Sequence, residues 1–221
     1  MKIHRAQVVL DTASHQYHAG MLSEQADIDA AFNTAHKFLE EANRLDTLSP
    51  KSCYMDAQIY IQQFRPVALS EAEGMDIRRR ELLLQAEKQM LAAIARNKAD
   101  FKNYRAVTEV YRFLAAITED PEKQTWLKKA YESASKAVKT FPGSGRLRIE
   151  LAILAEQLEK TNVAVEQYEK AVHIEDAYRD QFRQMYPGRK MFSRLGEQSY
   201  QWAYKRAGEL RGPAEPEQFE K

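Results

Sequence analysis

The chain has 221 residues, with 33 Lys and Arg against 32 Asp and Glu, so its net charge of +1 produces no overall field that would attract nucleic acid or an anionic membrane. With 44% apolar residues, 29% charged residues, 8 Gly and 7 Pro, the composition suits long amphipathic helices and disfavours hairpin-rich β folds. Cys53 is the sole cysteine, which excludes an internal disulfide and a thiolate zinc cage. We therefore predict an all-α protein with no nucleic-acid partner.

The apolar runs of the sequence are short. The longest, such as residues 113–117, fall far below the length of a membrane span, and the N-terminal residues lead into no signal-peptide core. We therefore expect a soluble chain. The lack of a disulfide leaves the compartment open. The cytoplasm is favoured, while association with a membrane protein in a larger assembly stays an alternative.

The first predicted helix, residues 3–19, is polar and rich in histidine. His4, Asp11, His15 and His18 fall on one face at about 100° per residue, and His15 and His18 could share a zinc or nickel ion. Such a face on a terminal helix is more often exposed to water. We assign no metal and no cofactor, and keep a metal- or small-ligand-binding helical protein as an alternative.

A pattern of small residues recurs four times along the chain. Each segment has Ala, then a residue of equal or larger size four positions on, then Ala three positions later, so the three residues share one helical stripe. The triplets are Ala35-Leu39-Ala42, Ala86-Met90-Ala93, Ala130-Ala134-Ala137 and Ala164-Tyr168-Ala171. Small residues at i and i+7 let two antiparallel helices approach closely. A generic Ala-rich helical bundle would be the plainer explanation.

A second amphipathic segment precedes each of the last three triplets, at residues 50–64, 101–117 and 146–158. Each such pair predicts a helical hairpin. The extra residues between paired helices fall at 65–73 and 118–124, where loops absorb length at small cost.

Three other features of the helices concern packing and solvent. The run of Arg78, Arg79 and Arg80 is predicted to face water. Trp126 and Trp202 are predicted to pack in the core or under a cap.

The C-terminal part predicts a short helix at 177–186, a stop at Pro187-Gly188 and a capping helix at 193–210. Residues 212–221 have no periodicity and are predicted to be disordered.

The last repeat, which begins near Gly145, resembles the tetratricopeptide repeat (TPR) family. Ala152, Ala164, Tyr168 and Ala171 match the family's small and aromatic positions, and Ala155 departs from them where the family has an aromatic residue. The two preceding units match at Ala57 and Tyr60 and at Thr108 and Tyr111. The resemblance implies a right-handed superhelix of antiparallel helix pairs, a TPR-like α-solenoid with terminal capping helices. It further implies one domain over residues 1–211, with about four helix pairs and a C-terminal cap.

In TPR arrays the first helix of each pair lines a concave groove. Carried over to this sequence, the groove positions form three groups: Lys51, Tyr54, Met55, Gln58 and Ile61; Lys102, Arg105, Ala106, Glu109 and Arg112; and Arg146, Ile149, Glu150, Ile153 and Glu156. From these the predicted binding residues are Lys51, Tyr54, Gln58, Lys102, Arg105, Glu109, Arg112 and Arg146. The basic residue that opens each group favours a protein or peptide partner with an acidic, extended segment.

The chaperone-tail clamp of this family is not expected. Tyr54 and Gln58 stand where its first Lys and Asn would be, and Glu150 replaces its Arg.

The C-terminal half also resembles the soluble repeat tail of bacterial O-antigen ligase or polymerase-like membrane proteins. The matching segments are residues 100–104, 142–147, 174–179 and 185–189. This resemblance implies an accessory module of cell-envelope glycan assembly. It implies no catalytic residue, because the chemistry of that family resides in its membrane helices.

Motifs of catalysis are missing from the sequence. It has no glycine-rich phosphate loop, no HExxH and no Cys–His pairing at metal spacing, and no carboxylate pair stands out as an acid–base couple. We therefore predict a non-catalytic protein-interaction scaffold, with the glycan-assembly accessory domain as the alternative.

Overall fold

The computed structural model describes residues 1–18, 25–68 and 75–212. Within these ranges the regular secondary structure is helical and no strand occurs. The helices in chain order are α1 (Lys2–His18), α2 (Gln25–Leu45), α3 (Lys51–Val67), α4 (Met75–Arg96), α5 (Phe101–Ala116), α6 (Glu122–Thr140), α7 (Gly145–Gln157), α8 (Thr161–Met185) and α9 (Glu197–Arg211). The prediction of an all-α chain is confirmed. In the ranges that are described, no helix is long and apolar enough to cross a bilayer.

The helices fall into two compact units, Met1–Lys123 and Gln124–Lys221, which we call the N-terminal and C-terminal units. In the N-terminal unit α1 packs against α2, α2 against α3, α3 against α4 and α4 against α5. In the C-terminal unit α8 packs against both α7 and α9. The single domain over residues 1–211 stays a prediction. Residues 213–221 lie outside the described residues, so disorder there also stays a prediction.

The alanine stripes lie where the helices pack. The residues of all four triplets are buried, and Ala164, Tyr168 and Ala171 have no exposed surface. The periodic alanines therefore mark the buried face of α2, α4, α6 and α8, as the sequence predicted.

In the C-terminal unit the core forms around Tyr168. Its buried members are Ile149, Ala152, Ala155, Ala164, Tyr168, Ala171, Leu195, Ala203 and Ala207. Small residues on α7, α8 and α9 bring these helices together around one large ring. The edge of Trp202 meets the Tyr168 ring at a centroid distance of 5.2 Å, and Tyr131 of α6 packs against the same cluster. Trp126 is buried, as predicted, whereas Trp202 is 44% exposed although it contacts the Tyr168 ring, so the predicted packing of Trp202 was correct only in part.

A polar contact fixes α9 on this core. The Tyr168 hydroxyl donates to the Glu156 carboxylate of α7, and Arg206 Nε of α9 donates to Glu156 Oε2 at 2.8 Å. Burial tends to raise the pKa of Glu156, but the hydrogen bonds from Arg206 and Tyr168 outweigh it and hold that pKa below its ordinary value. Glu156 therefore stays charged and links three helices.

The N-terminal unit holds α3 in place from both sides. His36 Nδ1 of α2 lies 2.6 Å from Asp56 Oδ1 of α3, and the His36 ring stacks on Tyr60 at 4.2 Å. Arg96 at the end of α4 donates to the Ser49 carbonyl oxygen at 2.9 Å, just before α3 begins. These contacts set the position of α3, which carries part of the predicted site.

One predicted boundary was wrong. Residues 177–186 do not form a separate short helix, because α8 runs without a break for 25 residues from Thr161 to Met185. No Gly or Pro interrupts that stretch, so nothing in the backbone ends the helix earlier. The predicted stop holds, since Pro187 follows and Gly188 adopts a φ of 78°.

Replacing Ala171 by Arg tests the close packing of α8. Ala171 has no exposed surface, so an Arg side chain would clash with neighbouring helices and bury a charge. We expect a loss of about 3 kcal/mol or more in the free energy of unfolding, measured by urea denaturation. The matched control is Ala177→Arg on the exposed side of the same helix, which should change stability by no more than about 0.5 kcal/mol. Equal effects of the two substitutions would contradict the assigned packing.

The turn between α7 and α8 offers a stabilising change. Glu159 has a φ of 58°, and the amide groups of Lys160 and Glu159 donate to the carbonyl oxygens of Ala155 and Glu156 at 2.8 and 2.9 Å. Glycine is the usual residue at such a left-handed helix end. Glu159→Gly should raise the stability by up to about 1 kcal/mol in thermal unfolding, because it removes the strain of a side chain at positive φ. Glu132→Gly, in the interior of α6, should instead cost about 1 kcal/mol. A loss of stability from Glu159→Gly would disprove the turn geometry.

Candidate functional site

The exposed side of α5 is strongly basic. The Asp100 side chain caps the helix by accepting from the Lys102 amide at 3.0 Å. The opposite side of α5 is buried, including Val107, Val110 and Leu114. Lys102, Arg105 and Arg112 are exposed, and they lie within about 80° of one another on a helical wheel at about 100° per residue.

The matching stripe of α3 consists of Lys51, Tyr54 and Gln58. Lys51 is exposed, while Tyr54 and Gln58 are half-buried. Burial raises the pKa of Tyr54, the charges of Asp100 and Glu109 raise it further, and Arg105 opposes them. The Tyr54 hydroxyl therefore lies within electrostatic range of α5. The two stripes are neighbours in the N-terminal unit.

An ion pair also joins α3 and α5. Arg65 near the end of α3 lies 3.7 Å from Glu109 of α5, with both side chains well exposed, so this ion pair adds little stability. We call the surface made by Lys51, Tyr54, Gln58, Lys102, Arg105, Glu109 and Arg112 the α3–α5 face. Lys51, Lys102 and Arg112 form no ion pair with any residue that the structure describes.

Arg65 was missed by the sequence reasoning. Pro66 indicated the end of the helix at residue 64, yet α3 continues to Val67. A proline in the last turn costs one backbone hydrogen bond and can be tolerated there. Arg65 lies seven residues after Gln58 and therefore on the same helical stripe. This spacing could have identified Arg65 from the sequence.

Some predicted groove positions are not accessible. Ile61, Ala106 and Ile149 are buried, with at most 9% of their surface exposed, so the prediction for these residues was wrong. Met55 packs against the core cluster that contains Ala35 and Leu39. These side chains are apolar and pack against neighbouring helices instead of facing a partner.

The third group of predicted groove positions lies in the C-terminal unit. Glu156 is occupied by Tyr168 and Arg206. Arg146 is exposed at the start of α7. A single groove that contains both Arg146 and the α3–α5 face stays a prediction.

The described residues contain no group of three or more His, Cys, Asp or Glu side chains that could hold a metal ion. His4 and Asp11 are exposed on α1, and the side chains of His15 and His18 lie outside the described residues. The alternative of a metal site on these four residues therefore stays untested.

The arginine run at the start of α4 is not uniformly solvated. Arg78 is exposed as predicted. Arg79 is half-buried and pairs with Asp76 at 2.6 Å, and Arg80 pairs with Glu122. The prediction of a purely water-facing run was therefore wrong for Arg79.

Comparisons with known proteins bear on the fold. The sequence matches no protein-family model and no curated protein. Two crystal structures of MamA are similar to the chain at 18% identity, each with a TM-score of 0.51. One match covers 79% of this chain and 81% of MamA, and the other covers 85% and 79%. TTC0263, a thermophilic TPR protein of Thermus thermophilus, matches at 17% identity over 93% of this chain and 91% of that chain, with a TM-score of 0.48.

MamA is a TPR protein, and nothing in these comparisons supports the resemblance to the O-antigen ligase tail. At such low identity the likeness to MamA speaks for the fold alone. The chain has a TPR-like helical fold.

Proposed function

We propose that this protein is a non-catalytic scaffold that holds an extended, acidic segment of another polypeptide on the α3–α5 face. The observation that carries the proposal is the placement of Lys102, Arg105 and Arg112 on the exposed side of α5, beside Tyr54 of α3.

The charges of this surface favour an anionic partner. Lys51 and the three cations of α5 outnumber the two nearby carboxylates, Asp100 and Glu109, and Glu109 already pairs with Arg65. Carboxylates of a bound segment would form charge-assisted hydrogen bonds with these side chains. Those pairs that lose water on binding contribute most, at about 2 kcal/mol or more each, and pairs at the rim contribute less.

Tyr54 adds an apolar contact to the charged surface. Its half-buried ring lies on α3, beside the cations of α5. Rigid amphipathic rings of this kind often anchor interfaces, because they bury a large area at low entropic cost.

The fold supports a polypeptide as the partner. In the TPR arrangement α3 and α5 are the first helices of their pairs, and these are the helices that face a bound segment in the family that the sequence resembles. Two neighbouring stripes on separate helices suit an extended chain that crosses both, since such a chain presents a side chain to each in turn.

Charge reversal tests this proposal. The variant Lys102→Glu, Arg105→Glu, Arg112→Glu should bind an acidic peptide about tenfold more weakly or worse, because each reversal replaces attraction by repulsion. The probe is a fluorescein-labelled synthetic peptide of alternating Asp and Leu, compared with its Asn and Leu counterpart. Fluorescence anisotropy at low and moderate salt measures the affinity, which should fall as salt screens the charges.

The matched control is Lys37→Glu, Arg44→Glu, Lys88→Glu. These residues are exposed cations on α2 and α4 of the same unit, and the change in net charge is the same. This variant should bind like the unaltered protein. If it loses the acidic peptide while the α5 variant keeps it, or if the Asn peptide binds equally well, the α3–α5 face is not the binding surface.

A further inference from the structure

A cleft of about 210 Å³ opens in the C-terminal unit. It lies between the turn that joins α6 to α7, the middle of α8 and the segment before α9, with Phe141, Ile174 and Tyr178 among its apolar wall residues. An engineered protein cavity of about 150 Å³ is large enough to hold benzene. The cleft therefore has room for one side chain the size of an aromatic ring.

Hydrogen bonds hold the wall formed by the turn. Arg148 Nε donates to the Pro142 carbonyl oxygen at 3.1 Å, and the Ser144 hydroxyl oxygen accepts from the Leu147 amide at 3.3 Å. Gly145 lies so close to α8 that a Cβ atom there would come within 3.3 Å of the Ala171 carbonyl oxygen. The turn is therefore fixed against α8 on this side of the cleft.

A buried carboxylate holds the opposite wall. Glu175 is 3% exposed, and its two oxygens accept from Arg179 Nε at 3.2 Å and from the Leu195 amide at 3.1 Å. These bonds place residues 194 and 195 beside α8. Arg179, which also pairs with Glu197, offsets part of the charge of Glu175, so the carboxylate repels an anion in the cleft less than a free one would.

The remaining charges at the cleft are positive. Arg146 and Arg194 line it, both are exposed, and neither forms an ion pair with a residue that the structure describes. The Arg194 guanidinium lies 4.1 Å from the centroid of the Tyr178 ring. Stacking on the ring restrains the guanidinium and leaves its N–H groups able to bind a carboxylate.

We propose that this cleft binds the carboxyl-terminal residue of a polypeptide. The free α-carboxylate would bind Arg146 and Arg194, and the last side chain, aromatic or branched aliphatic, would pack among Phe141, Ile174 and Tyr178. A terminal residue carries its carboxylate and its apolar side chain on one Cα atom. This matches a cleft in which cations adjoin apolar walls within one ring-sized space. The site goes beyond the α3–α5 face, because it shares no residue with it.

Nuclear magnetic resonance of the full chain tests the site. The probes are N-acetyl-Gly-Gly-Phe as the free acid, the same peptide as its amide, and N-acetylphenylalanine. The free-acid peptide should shift the amide resonances of Gly143, Ser144 and Gly145 in a saturable way. The peptide amide should bind about tenfold more weakly or worse, because it lacks the charge that the arginines recognise.

Four variants test whether binding is specific to the cleft or reflects general electrostatic attraction. Arg146→Gln and Arg194→Gln should each weaken binding of the free-acid peptide about tenfold, since each removes a charged hydrogen bond. Arg189→Gln, an exposed cation of the same unit away from the cleft, should have no effect. Ile174→Trp keeps both arginines but fills the space, and it should also prevent binding. Circular dichroism verifies that each variant is folded.

Three results would overturn the proposal. Equal binding of acid and amide would show that the carboxylate is not recognised. Equal losses in Arg189→Gln and Arg146→Gln would show an unspecific attraction. Binding of N-acetylphenylalanine without binding of the peptide acid would make the ligand a free small acid instead of a polypeptide end.

Discussion

Neighbouring helices can approach closely because alanines, whose side chains end at Cβ, line their contacts. On α8, Ala164 and Ala171 have no exposed surface, and Tyr168 between them fills the space that the alanines leave open. A larger residue at either alanine would push the helices apart and leave the Tyr168 ring without neighbours. The same stripe recurs on α2, α4 and α6, so one packing solution serves both units.

Polar side chains then fix the relative positions of the helices that the alanines bring together. Around the Tyr168 ring, Glu156 accepts hydrogen bonds from α8 and α9, and in the N-terminal unit His36 and Arg96 position α3 from two sides. Hydrogen bonds have strict geometry, whereas apolar contact alone tolerates sliding. The fixed position of α3 matters for the proposed function, because it decides where Tyr54 lies beside α5.

The surfaces available for binding are those that the packing leaves uncovered. In the N-terminal unit this is the basic side of α5 with its neighbour on α3. In the C-terminal unit it is the cleft at Arg146 and Arg194. Both combine cations with aromatic rings, and we propose that the first binds an acidic stretch of another polypeptide and the second a chain end. The TPR-like fold gives each helix pair one face to bury and leaves another exposed.

The sequence by itself determined the helical class, the buried alanine stripes and the basic stripe of α5, because helical periodicity places residues on faces without any tertiary information. Tertiary structure decided the rest. Ile61 and Ala106 have the right spacing for the groove but are buried, since burial depends on which helices meet. The cleft joins Arg146 to Arg194, which are far apart in the chain. Contact between distant residues follows from packing and leaves no periodic signal in the sequence.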